Sequence, residues 1–199
     1  MKICITLDDV IRAKTAQFGK IYKKFIDNDI DLDSLDISSG NLSSIFKFGS
    51  DGEYNKFLYE DYAFDIFAEA PVVEKMLDKN LNLWMLKNND VDFMLGNTME
   101  FNASIGFTYF FLSQIATRVR EVCLPTNSAT LWDKCDVIVT ADNRLIESKP
   151  DGKVCVKIET EYNKDNSSDF TYDSLSSLIS DDEFINKLKD VLTDEDKQA

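Results

Sequence analysis

The chain of 199 residues contains no histidine, and only 4 cysteines, 7 glycines and 3 prolines. Without histidine, Ser-His and Cys-His catalytic pairs and mixed Cys/His zinc sites are excluded. Cys4, Cys123, Cys135 and Cys155 lie in or beside short apolar runs without C-x-x-C spacing, which predicts buried, reduced thiols. The sparse glycines form neither G-x-x-x-x-G-K-[ST] nor G-x-G-x-x-G, so no glycine-rich phosphate cradle exists. Positive charge is also short: 22 Lys and Arg against 36 Asp and Glu leave a net charge of −14. Such a field repels phosphate backbones and anionic lipid, which argues against nucleic acid and membrane as partners. No uncharged apolar run reaches the ~20 residues needed to cross a bilayer, and no basic segment followed by an apolar one opens the chain. A cytoplasmic location is the expectation.

What is present is globular. Hydrophobic residues make up 44%, with 14 Phe, 7 Tyr and 2 Trp, enough to build a real core. "KICIT" at the start runs into "DDVIRAKTAQFGKIYKKFI", where Ile11, Phe18, Ile21, Tyr22, Phe25 and Ile26 recur at helical spacing. Residues 27 to 56 are rich in Asp, Ser, Gly and Asn, and predict a loop-rich excursion or small cap. Pro71 is placed to open a helix, followed by the strand-like "VDFMLGN". "SIGFTYFFLSQIATRVR" is apolar almost all round, so Phe101, Phe107, Tyr109, Phe110 and Phe111 are expected in the core, as are Trp84 and Trp132. "EVCLP", "CDVIVT" and "KVCVKI" have the length and β-branching of strands buried on both faces. The stretch "NKDNSSDFTYDSLSS" reads as a loose polar linker. Ser180 with Glu183 suggests a capping box for a terminal amphipathic helix, and the acidic run 192–199 a solvated tail.

Strands alternating with helices predict an α/β fold, a central parallel sheet in a three-layer α/β/α arrangement. In such sheets ligands bind beyond the carboxyl ends of the strands. The residues there are Thr6 to Asp9, Gly96 to Thr98, Pro125 to Ser128 and Thr140 to Asn143.

The order "KICITLDDVIRAK", polar excursion, "VDFMLGNT", "CDVIVTADN" and "GKVCVKIETEYN" resembles the haloacid dehalogenase-like (HAD) superfamily. It is most similar to the small bacterial 5′-nucleotidase-like branch, whose last strand ends in a Tyr-Asn pair, here Tyr162 and Asn163. The resemblance implies a HAD-like core over residues 1–163, with a small cap inserted at about 27–65 after the first strand-helix unit. Residues 164–199 would be the polar linker and C-terminal helix. It also implies an aspartate nucleophile after the first strand, a general acid/base aspartate two residues later, and a Ser/Thr after the second strand. A lysine near the third strand and acidic Mg²⁺ ligands after the fourth complete the set, which supports transfer through an aspartyl-phosphate.

Laid on that pattern, "ITLDDV" puts Thr6 at the nucleophile and Asp8 at the acid/base position, while Thr140 and Ala141 replace the acidic pair and Asp142 falls one position late. Asn97 or Thr98 stands at the phosphate-binding hydroxyl. Lys134, Arg118, Arg120 and Lys149 are the basic residues nearest the motif lysine in order, and none matches it. The simpler roles are local: Asp8 and Asp9 capping the first helix, Thr140, Asp142 and Asn143 forming a turn.

The reading is a pseudoenzyme, a HAD-like protein that has lost the nucleophile and metal carboxylates and binds a small anion or a protein partner without catalysis. No cofactor is expected. The alternative is a divergent Mg²⁺-dependent phosphatase or 5′-nucleotidase-like hydrolase in which Asp8 attacks in a shifted register, with Asp8, Asp9 and Asp142 as metal ligands. A third reading makes the excursion and terminal helix an interaction module.

Overall fold

The computed structural model describes residues 1–98, 101–115 and 117–195. Six parallel strands form one sheet: β1 (Lys2–Thr6), β2 (Asp92–Gly96), β3 (Glu121–Cys123), β4 (Val137–Thr140), β5 (Val154–Ile158) and β6 (Phe170–Tyr172), in the order β3-β2-β1-β4-β5-β6. Helices cover both faces, giving a three-layer α/β/α, Rossmann-like fold. From β1 the chain winds outward to β2 and β3, then returns to β4 on the other flank of β1. The connections after β1 and β4 therefore diverge and leave a crevice between their carboxyl ends.

Side-chain alternation along β1 explains the two layers. Ile3 and Ile5 join Val137, Val139, Val154 and Val156 on one face, beneath α4 (Leu77–Lys87), α5 (Asn102–Gln114), α8 (Leu175–Ser180) and α9 (Phe184–Glu195). Cys4 points the other way, joining Met94, Ile138 and Cys155 under two short helices, α6 (Ser128–Trp132) and α7 (Asn143–Glu147). All four cysteines are free; three are buried and Cys123 is partly buried. Burial pushes the Cys155 thiol up to about 12, which leaves it protonated and unreactive.

The excursion is built on aromatic packing. Phe18, Ile21 and Tyr22 of α1 (Lys14–Phe25) meet Phe46, Phe57, Leu58 and Phe67, and the Phe18 ring lies 5.0 Å from Phe46 and 5.1 Å from Phe57. A 3₁₀ turn (Leu32–Ser34), α2 (Leu42–Ile45), α3 (Asp51–Lys56) and two π-helical turns (Phe57–Asp61, Phe64–Ala68) carry these side chains. Among the described residues, no helix is long and apolar enough to cross a membrane.

Several expectations change. α1 begins at Lys14, because residues 7–12 form a tight turn closed by the Ile11 and Arg12 amides on the Leu7 carbonyl. Pro71 opens no helix: its carbonyl accepts from Ala13 N and Val73 N donates to Ile11 O, so residues 71–73 run as an extended ribbon beside 11–13. α4 starts six residues later, after Met76 in left-handed conformation (φ 62°). Phe170–Tyr172, inside the stretch read as linker, is strand β6; it was hidden because three residues cannot display a period. The capping box falls on Ser174 and Ser177 at the start of α8 rather than on Ser180 and Glu183. Both tryptophans and Phe111 are buried, but Phe101, Tyr109 and Phe110 are about half exposed, since α5 has only one face turned to the protein. Residues 196–199 of the acidic run lie outside the described residues.

Gly96 ends β2 opposite Thr6, where an added Cβ would stand 2.7 Å from Cys4 Sγ and 2.8 Å from Leu131 Cδ1. Gly96→Ala should lower the unfolding free energy by about 1–3 kcal/mol through overpacking, read as a lower urea midpoint at unchanged slope.

Candidate ligand cleft

β1 ends at Thr6, whose side chain is buried and whose hydroxyl donates to Thr140 Oγ1 at 3.2 Å across the β1–β4 boundary. Thr140 Oγ1 also accepts from the Asp142 amide at 3.0 Å. Two alcohols thus meet where the resemblance implies carboxylates, and each is engaged with the other rather than facing solvent. The turn that follows projects Asp8 and Asp9 into a cleft of about 470 Å³, whose walls include Lys14, Asp142, Arg144, Tyr59, Phe101 and Tyr162.

Asp8 is held from every side. Its Oδ1 accepts from Arg12 Nε at 2.9 Å and Nη2 at 2.6 Å; its Oδ2 accepts from Lys14 Nζ at 2.9 Å and Asn97 Nδ2 at 3.0 Å. The Asp8 amide in turn donates to Asn97 Oδ1. Arg12 is fully buried, gives Nη1 to the Phe67 carbonyl and Thr108 Oγ1, and lies against the rings of Phe67 and Phe111. Burial would raise the Asp8 carboxyl, but the charges of Arg12 and Lys14 outweigh it and hold it well below the usual carboxylate range. Lys14 is raised by the same pairing, which overcomes its own burial.

Asp9 sits in left-handed conformation (φ 58°), which Asp tolerates better than most residues. It accepts from the Thr15 amide at 2.9 Å, from the Thr15 hydroxyl, and from Tyr162 OH at 2.8 Å. The expected capping of α1 is thus performed by Asp9, reaching past the N-cap residue Ala13. Burial raises the Asp9 carboxyl despite the Thr15 bonds, and burial together with Asp9 raises the Tyr162 phenol.

Asp142 caps α7 by accepting from Arg144 N at 2.9 Å, and it also binds Arg144 Nε at 3.0 Å, Arg144 Nη2 at 2.7 Å and Thr98 Oγ1 at 2.9 Å. Burial opposes its ionisation, but Arg144 and Thr98 lower its pKa. Asn97 and Thr98 are therefore brought to the cleft as supports for the two carboxylates. Asn143 donates to the Tyr162 carbonyl.

The wall bearing Tyr162 is organised by Lys157, a residue 3% exposed. Its Nζ donates to the carbonyls of Asn163, Lys164 and Asn166 at 3.3, 3.2 and 2.8 Å. Asn163 ties the same loop to the Ala141 and Ile158 carbonyls.

Of the basic residues considered from sequence, Arg118 and Arg120 lie near Lys2 at the opposite end of the sheet, Lys149 pairs with Asp169, and Lys134 does not line the cleft. Among the described residues, Lys14 and Arg144 line the cleft and Arg12 lies buried behind Asp8. The i,i+4 spacing of Asp8 and Arg12 and the closeness of Asp142 to Arg144 were signals for two of them; Lys14 is placed by a turn with no periodic signature.

The donors do not fit a magnesium ion. Thr6 and Thr140 supply neutral hydroxyls, and every oxygen of Asp8 and Asp142 already accepts from a cation or a polar hydrogen. A divalent cation entering here would face Lys14 and Arg144. Among the described residues, no group of three or more Cys, Asp or Glu is disposed to hold a metal. No family model matches this sequence, and no curated protein does.

Three consequences are measurable. Arg12→Met strips a buried carboxylate of its main partner and should cost about 3–5 kcal/mol in chemical denaturation. Because Asp8 is depressed in the folded state, its ionisation stabilises the fold above its unfolded value near 3.9 and this contribution fades as pH drops toward the folded value. Asp9, being raised, acts in the opposite sense, favouring the fold at low pH. The stability gap between wild type and Asp8→Asn should stay level from neutral pH down to about 4 and close below it. Separately, Lys157→Met removes the ammonium that the Asn163, Lys164 and Asn166 carbonyls share and should cost about 1–3 kcal/mol, with ammonium or potassium salts restoring part of the loss in a Lys157→Ala variant.

Proposed function

We propose that the chain is a HAD-like protein whose switch-point cleft binds a small molecule without phosphoryl transfer. The observation that carries this reading is the state of its acids. Thr6 and Thr140 are hydroxyls bonded to each other, and Asp8 is an ion-paired strut whose two oxygens are already occupied by four donors. An aspartate nucleophile attacks as the free carboxylate and needs an oxygen left open to the substrate. Both oxygens of Asp8 are instead held by Arg12, Lys14 and Asn97.

The strand order, with β1 central and the excursion following α1, supports the HAD-like reading. The left-handed residue after Asp8 and the contact of Tyr162 with Asp9 add to it. Reduced thiols packed against the sheet support a cytoplasmic setting. The competing hydrolase reading requires Asp8 to leave Arg12 and Lys14 before it could attack.

Calorimetry with Mg²⁺ and beryllofluoride, alongside an aryl phosphate hydrolysis assay, separates the two. No metal-coupled uptake and no turnover above an Asp8→Asn control are expected. Uptake that needs Mg²⁺ and disappears in Asp8→Asn would establish an aspartyl-phosphate site and end this reading.

A further inference from the structure

We infer that the cleft takes an uncharged, flat molecule bearing hydrogen-bonding groups, rather than an anion. This rests on the non-catalytic reading above and adds the chemistry of the occupant.

Among the described residues at the cleft, Asp8 is paired with Arg12 and Lys14 and Asp142 with Arg144, while Asp9 accepts from Thr15 and Tyr162. Arg12 is fully buried behind Asp8 and gives Nη1 to the Phe67 carbonyl and Thr108 Oγ1. Lys14 is 2.9 Å from Asp8 Oδ2, and Arg144 is 2.7 Å from Asp142 Oδ2. An incoming phosphate or carboxylate would compete for Lys14 and for the Nε–Nη2 edge of Arg144 with tethered carboxylates already in contact, whose effective concentration is far above that of any free ligand. It would also approach through the field of a chain carrying −14 charges. A cation fares no better, because each carboxylate already has its donors. A neutral molecule disturbs none of these pairs.

The remaining wall suits such a molecule. The rings of Tyr59 and Phe101 meet at 4.3 Å on one side, offering apolar faces, and Phe101 is 48% exposed. Asn41 and Asn55 on the excursion bring amide groups to the rim, each able to donate and accept. Aromatic faces with a few polar groups are the ordinary means of holding a planar polar ligand.

The test uses four probes of similar size and different charge: benzamide, benzoate, phenyl phosphate and benzylamine, titrated by ligand-observed NMR. Benzamide should bind at least about tenfold more tightly than the charged three, and its affinity should be unchanged between about 50 and 500 mM salt. Phe101→Ala, at an exposed position, should weaken benzamide several-fold. Asp142→Asn keeps an α7 cap and frees Arg144, so phenyl phosphate should gain about tenfold in that variant while benzamide does not. A preference for phenyl phosphate, benzoate or benzylamine in the wild-type protein overturns the inference, as does the failure of all four to bind. Release of phenol from phenyl phosphate strikes the proposed function itself, a different failure from a wrong charge preference.

Discussion

The buried contact between Asp8 and Arg12 is the constraint around which the upper end of the sheet is arranged. A guanidinium with no solvent exposure is tolerable only if its charge and its donors are met, and hydrogen bonds to Asp8, Phe67 and Thr108 with the rings of Phe67 and Phe111 beside it help meet them. Those partners come from the β1 turn, the second π-helical turn and α5, so the arginine fastens the excursion to the core. The same contact fixes both oxygens of Asp8 in its turn. A carboxylate that anchors a buried cation is not also a free base, so the structural role bears directly on the proposed lack of catalysis.

The two faces of the sheet are unequal for a related reason. One carries four helices and most of the aliphatic core; the other carries two five-residue helices over a small cluster of thiols, Met94 and Trp132. Short helices contribute little stability of their own, so this layer depends on tight packing and on side-chain bonds such as Trp132 Nε1 to the Leu145 carbonyl at 3.2 Å. Asp142 serves that layer as the cap of α7 while closing the cleft. Support of the layers and the lining of the cleft are therefore carried by the same few residues on both sides of the crevice.

Much of this was legible from residue patterns. Five strands announced themselves as short β-branched runs, and the rule that ligands gather beyond strand ends selected Asp8, Asn97, Thr98 and Asp142, which the fold brings to one place. What escaped has a physical reason in each case. The turn at residues 7–12 is held by backbone bonds to Leu7, which leave no mark on side-chain order, so Lys14 could not be placed. The aromatic run of α5 looked like core because composition does not say which neighbours exist; a helix with one partnered face leaves Tyr109 and Phe110 to solvent. Lys157 required knowledge of which loops meet.

The sheet's two margins carry a further consequence. β3 and β6 flank the sheet, and each is only three residues long. Open strand borders invite a foreign backbone to dock and extend the ladder, the first step toward fibrous assembly. Margins this short offer an intruding strand too few anchoring amides to hold it in register, so the architecture is guarded against self-templating even though its interior strands are rich in valine and isoleucine.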